Sequence, residues 1–189
     1  MFLRQSFPLP GATNFPVDDG LNQVEGFLPD SRITINIGKF SLPDFFDYNS
    51  YNHDARSQFL NWALMGQGAW DYAADTRGYT SGIEIELVKP AWQLRYAFVQ
   101  MQKTANYIDM DMDMLRTHGQ CIEYARQSPV KKHPGFFTLN FFRNTSGAPY
   151  YADATNLMRH GDYSLVPIIA GQVATPLSGH NKWGFGINL

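Results

Sequence analysis

Between residues 82 and 98 the chain reads GIEIELVKPAWQLRYAF. Apolar and polar side chains alternate on both sides of a turn at Lys89-Pro90. Successive side chains of a strand point to opposite faces, whereas a helix repeats every three to four residues. The segment therefore folds as an antiparallel hairpin. Ile83, Ile85, Leu87, Trp92, Leu94, Tyr96 and Phe98 share one face, and Glu84, Glu86, Gln93 and Arg95 share the other. What lies against the oily face, a second protein layer or lipid, then decides what kind of protein this is.

The same period recurs along the chain. Residues 32–40 place Ile33, Ile35 and Ile37 on one side and Thr34, Asn36 and Gly38 on the other. Residues 79–88 and 91–101 are the hairpin just described. Residues 117–127 separate Ile122 and Tyr124 from Glu123 and Ala125, and residues 136–141 align Phe137, Leu139 and Phe141. The segment 182–189 alternates Trp183, Phe185, Ile187 and Leu189 with Gly184, Gly186 and Asn188, and residues 2–7 read as a short first strand.

The links between strands alternate too. Those at 41–78, 102–116 and 143–181 are long, whereas Val88 to Ala91 and Ser128 to Gly135 are short. Outer-membrane barrels carry tight turns at one end and extended loops at the other. The link at 8–30 breaks the rule, since parity assigns it to the short-turn end. Within the long link, Asn52 or Asp54 can cap a helix over about 53–64, with Phe59, Leu60, Ala63 and Leu64 on one face.

Charged residues make up 17% of the 189 and aromatics 15%, with a formal net charge of -2. An ordinary chain is nearer ~25% charged, so the polar faces are filled largely by Asn, Gln, Ser, Thr and Gly. The charge balance gives no basis for nucleic-acid binding. The single Cys121 excludes an internal disulfide framework. No apolar run reaches the ~20 residues of a membrane helix. Polar faces this rich need water, because an unpaired buried polar group costs a few kcal/mol. Rings at Phe40, Tyr79, Trp92, Phe136 and Trp183 fall near strand ends, with aliphatics between, as lipid-facing strands place them. The pattern alone fits both a water-filled barrel and one sheet of a sandwich.

Particular residues add to this. The block Gly38-Lys39-Phe40 with residues 45–64 (FFDYNSYNHDARSQFLNWAL), then Gly68-Ala69-Trp70-Asp71-Tyr72-Ala73-Ala74-Asp75 and Gly78-Tyr79-Thr80, resembles the carbohydrate-selective porin family. The ending Lys182-Trp183-Gly184-Phe185-Gly186-Ile187-Asn188-Leu189 is similar to a later strand of that family. The resemblance covers roughly residues 30–100 well and 102–181 loosely. It implies an all-β, antiparallel transmembrane β-barrel: about six to eight strands here, in a single partial domain over 1–189, of a barrel of about sixteen. The stretch 41–78 would be a long inward-folded constriction loop carrying the short helix. The family also implies a signal peptide and a considerably longer chain, so the sequence is read as an internal piece of such a porin.

The function so implied is facilitated diffusion of sugars across the outer membrane of a Gram-negative bacterium. No catalysis, cofactor or metal is expected, and the partners are small sugars, outer-membrane lipid and lipopolysaccharide. The matching path positions are His53, Asp54, Arg56, Gln58, Asn61, Trp62, Trp70, Asp71 and Asp75, with Glu84, Glu86 and Arg95 on the wall. Arg and carboxylate groups offer hydrogen bonds to hydroxyls, rings meet the C–H faces of a pyranose, and weak repeated contacts permit both entry and exit. Three competing readings remain. A soluble carbohydrate-binding β-sandwich would use the same faces. Glu84 and Glu86, about ~7 Å apart along one strand face, could serve a glycosidase. His118 with Cys121, or the acids Asp109, Asp111 and Asp113, could hold a metal ion.

Overall fold

The computed structural model describes residues 1–20, 22–47, 53–54, 57–58, 70, 72–103, 107–127, 135–146 and 180–188. Among these residues nine strands follow in order: β1 (Phe2–Pro8), β2 (Asn14–Val17), β3 (Gly26–Pro29), β4 (Arg32–Phe40), β5 (Thr80–Lys89), β6 (Trp92–Gln100), β7 (His118–Gln127), β8 (Phe136–Ser146) and β9 (His180–Asn188). Seven of them form one sheet in the order β1-β4-β5-β6-β7-β8-β9, and every pairing in it is antiparallel. β2 and β3 form a separate two-stranded hairpin. The fold is all-β. Among the described residues the only helical element is a short 3-10 turn at Leu42–Asp44, where Pro43 falls in the first turn and its missing N–H costs no bond. The sheet is open, with β1 at one edge and β9 at the other.

The alternation sets the register. On one face three rows cross the sheet. The first runs Ile33–Leu87–Leu94–Tyr124–Leu139 and the second Ile35–Ile85–Tyr96–Ile122–Phe141. The third joins Ile37, Ile83 and Phe98, then turns polar at Gln120 and Arg143. β9 continues the register, with Ile187 opposite Leu139 and Phe185 opposite Phe141. On the edge strand, Leu3 and Phe7 keep the pattern and Gln5 interrupts it. β-Branched and aromatic side chains suit such a pleated surface and pair across it.

The other face carries the polar rows, and here burial is inverted relative to an ordinary soluble sheet. Asn36 and Glu84 are 0% exposed, whereas Ile37 is 51% and Phe141 45% exposed. The polar face is covered by the chain that leaves β4. Phe45, Phe46 and Ala73 pack with Phe40, Leu42, Ala97, Val99, Met101 and Cys121 into the hydrophobic cluster, flanked by Trp70 and Tyr72. Phe40 lies in this cluster, edge-on to Phe45 at 5.3 Å between ring centroids. It therefore does not border the oily face, as its position at a strand end had led us to expect.

Glycines let neighbouring strands, and at Gly119 the covering chain, approach closely. Gly82 is opposite Gly38 on the inner face, and a Cβ on Gly82 would collide with the carbonyl oxygen of Phe98 and stand 2.7 Å from the Cα of Val99. Gly38 has φ +139°, a conformation L side chains rarely adopt. A Cβ on Gly119 would press on Ala73, Asn144 and Val99, each 3.2 Å away.

The strand expectations hold closely, with ends shifted by a residue or so. β8 runs past the expected 136–141 to Ser146. The expected helix at about 53–64 falls mostly outside the described residues. Of its described members, Gln58 N–H donates to the Asp54 carbonyl at 2.9 Å, and Gln58 Oε1 accepts from the backbone N–H groups of His53 and Asp54. The link at 8–30 holds the unexpected β2–β3 hairpin. Pro16 and Pro29 and the lack of alternation hid it from a periodicity argument.

Candidate functional site on the polar face

The inner face presents a polar ladder perpendicular to the strands. Register places Ser6, Thr34, Glu86, Arg95, Glu123 and Asn140 side by side on six consecutive strands. Arg95 is its electrostatic centre. Its Nε lies 3.4 Å from Glu86 Oε1, its NH1 donates to Glu123 Oε1 at 3.1 Å, and its NH2 donates to Gln93 Oε1 at 3.1 Å. Glu123 is 2% exposed on its side chain and Arg95 15%. Charges so withdrawn from water are tolerated because each has a partner of opposite sign. Ser6 and Thr34 hydroxyls bond at 3.0 Å and continue the ladder to the sheet edge.

The next row adds Arg4, Asn36 and Glu84. Arg4 Nε donates to Asn36 Oδ1 at 2.8 Å, and Asn36 Nδ2 donates to Glu84 Oε2. Glu84 Oε1 is buried and makes no hydrogen bond to a protein atom.

The chain after β4 reaches this ladder. Asp47, with φ 57°, donates its backbone N–H to Glu123 Oε2 at 2.6 Å, and its carbonyl lies 3.2 Å from His53 Nδ1. A hydrogen-bonded series thus runs from His53 through Asp47 and Glu123 to Arg95, which an ion pair joins to Glu86. A cavity of about 200 Å³ opens beside it, lined in part by Arg4, Arg32, Thr34, Asp44, Glu86 and Arg95. A second, of about 370 Å³, lies toward the short-turn end among Phe15, Arg32, Val88, Gln93, Ala125 and Phe136. Arg32 borders both.

Of the residues singled out from sequence, the structure brings Glu84, Glu86 and Arg95 onto one wall and His53 close to it. Asp54 and Gln58 are engaged in the local turn beside His53; Asp54 Oδ2 accepts from Ser57 Oγ at 2.7 Å. Trp70 is packed against Phe46 and Tyr72, with ring centroids at 6.2 and 5.5 Å, so its faces serve the cluster. Asp75 stands apart from the ladder. Its Oδ2 accepts from Lys39 Nζ at 2.7 Å, and its Oδ1 accepts from the N–H groups of Arg77 and Tyr79. That arrangement locks the turn entering β5. Arg56, Asn61, Trp62 and Asp71 lie outside the described residues.

Sequence reasoning did not single out Glu123, Asp47 or Arg4. Glu123 was legible as a polar-face residue of β7. Its placement beside Arg95 depends on a register that passes through a long link. The metal reading of His118 and Cys121 meets a geometric obstacle. The two are an odd number of residues apart on β7 and face opposite sides: His118 stacks on Phe98 at 5.0 Å, and the buried Cys121 Sγ contacts Asn140 Oδ1 at 3.4 Å. Among the described residues no group of three His, Cys, Asp or Glu side chains is placed to hold a metal ion. No helix among them is long and apolar enough to cross a membrane, which says nothing of strands. No protein-family model, curated protein or solved structure matches the chain.

Proposed function

We propose that the protein forms the wall of an outer-membrane channel through which small sugars diffuse, without catalysis. The observation that carries this reading is the inverted burial of the sheet. Polar side chains are shielded on one face, while the rows of Ile, Leu, Phe and Tyr on the other are half-buried to exposed, with Ile37, Tyr96, Ile122, Leu139 and Phe141 exposed. Water disfavours such a surface; at about 25 cal/mol per Å² of apolar area its exposure is costly. A bilayer turns that cost into the force for insertion. The strands fit as well. β4 to β9 hold 9 to 11 residues, and a tilted transmembrane strand needs about 9–11. In hydrocarbon the edges of β1 and β9 must be paired by further strands, since a free edge is not tolerated there.

Passage of sugars follows from the ladder's chemistry. Arg4, Arg32, Glu86 and Arg95 line the 200 Å³ cavity beside the ladder and offer donors and acceptors to sugar hydroxyls there. The partners under this reading are neutral sugars inside and outer-membrane lipid or lipopolysaccharide outside. A soluble sugar-binding sandwich is the alternative. It needs a second layer over the Ile35–Ile85–Tyr96–Ile122–Phe141 row, and among the described residues none covers it.

The test is reconstitution. The purified chain in lipid vesicles is expected to give osmotic swelling with neutral hexoses, and brominated acyl chains are expected to quench its tryptophan fluorescence. A monomer that stays soluble without detergent and shows neither effect overturns the proposal.

A further inference from the structure

We propose that the β2–β3 hairpin is a second constriction, entering from the end of the sheet opposite to the chain that follows β4, and that its tip sets which sugars pass by size. The inference rests on the channel reading. It starts from the link that broke the length rule. At the short-turn end β5 and β6 are joined by residues 90–91 alone, whereas β1 and β4 are joined by residues 9–31.

That longer link is built, and it points inward. Its base is tied by Leu9 N–H to the Ser31 carbonyl at 2.9 Å and by Asp30, which accepts from both the N–H and hydroxyl of Thr13 at 3.0 and 2.6 Å. β2 and β3 then pair, and Gly20 and Gln23 exchange hydrogen bonds at the tip at 3.0 and 3.1 Å. The tip bends over the polar face to the middle of β1. There Arg4 NH1 donates to the Asn22 carbonyl at 2.8 Å and meets Gln23 Oε1 at 3.4 Å. Arg4 is four residues from the base of the hairpin at Pro8, so the tip climbs about 13 Å along the strand at ~3.3 Å per residue.

At that level the two inward-folded segments meet. Asn22 Nδ2 donates to Asp44 Oδ2 at 2.9 Å. Arg4 also lies over the ring of Phe45 at 5.6 Å. Gln23 and Leu28 of the hairpin line the same 200 Å³ cavity as Glu86 and Arg95. That space holds about seven waters at ~30 Å³ each, or one hexose ring. The hairpin therefore forms one side of the narrow space against the ladder. An inward segment held at one end can swing aside. One latched by Asn22 and Asp44 to a segment from the opposite end holds the gap at fixed width.

The experiment compares swelling of vesicles in a neutral hexose and in a neutral trisaccharide. In one variant residues 18–25 are replaced by an Asn-Gly turn joining Val17 to Gly26. In a second, Asp44→Ala removes the latch and leaves Asn22 at its φ of 58°. The trisaccharide-to-hexose rate ratio is expected to rise about threefold or more in the first variant, and by a smaller factor in the second. Swelling with an unchanged ratio in the latch variant and in any folded shortened variant overturns the constriction and leaves the channel standing. No swelling with the unaltered chain overturns both.

Discussion

Single residues carry two kinds of work here, and Asp75 separates them. The resemblance to sugar porins marked it as a path residue. In the structure it is buried and accepts hydrogen bonds from Lys39, Arg77 and Tyr79. Burial alone pushes its carboxyl pKa up, but the Lys39 ammonium and the two backbone donors outweigh that and hold it below the ordinary value. A carboxyl whose folded pKa is depressed contributes stability that is full above its unfolded value of ~3.9. That contribution is lost as pH falls through the folded value. Asp75→Asn is therefore expected to destabilise the turn into β5 at neutral pH and to differ little from the parent in strong acid. Protease nicking at Arg77 as a function of pH measures it, and an equal difference at both ends of the range contradicts it. Arg95 is the opposite case. Its place on the polar face with Glu86 was legible from alternation, while Glu123 on its other side came only with the fold.

At the scale of elements, strands were legible and what lies over them was not. β4, β5, β6 and β7 announce themselves because each alternates over nearly its whole length, and period 2 has no helical counterpart. β8 loses the pattern after Phe141, where Phe142 faces in and Arg143 faces out, so its extension to Ser146 was hidden. β2 and β3 are four residues each, contain prolines and do not alternate. Glycines on the inner face had no visible role in the sequence. The fold gives them one, because covering chain and neighbouring strands occupy the space a side chain would need. Gly82→Val is expected to cost about 1–3 kcal/mol, the usual range for overpacking, since its Cβ meets backbone atoms of Phe98 and Val99 that cannot rotate away. Urea unfolding in detergent followed by circular dichroism measures the loss. A midpoint equal to that of the parent contradicts the crowding argument.

The whole molecule is decided by which face meets what. Under the proposed channel reading, the covered polar rows face the lumen and the oily rows face an apolar solvent. Depth along the strands then has meaning. Ile85 lies in the central row between Ile35 and Tyr96, so Ile85→Arg is expected to weaken insertion by about 2–4 kcal/mol, the cost of a cation near a bilayer midplane. The same change at Phe7, at the end of β1, should cost about 0–1 kcal/mol. Folding titrations in vesicles distinguish the two sites. Equal, small effects at both point to a protein face or to water, and with them to the sandwich.

The amino-acid sequence on its own determined that the chain is a set of antiparallel two-faced strands, because side-chain alternation is a local property written residue by residue. It also determined that Glu84, Glu86 and Arg95 share the polar side, for the same reason. Only the tertiary structure decided that Glu123 joins them, that Asp47 reaches Glu123 across the sheet, and that Asn22 meets Asp44. Those contacts join residues far apart along the chain, and which ones meet depends on how the long links fold back, about which strand periodicity carries no information.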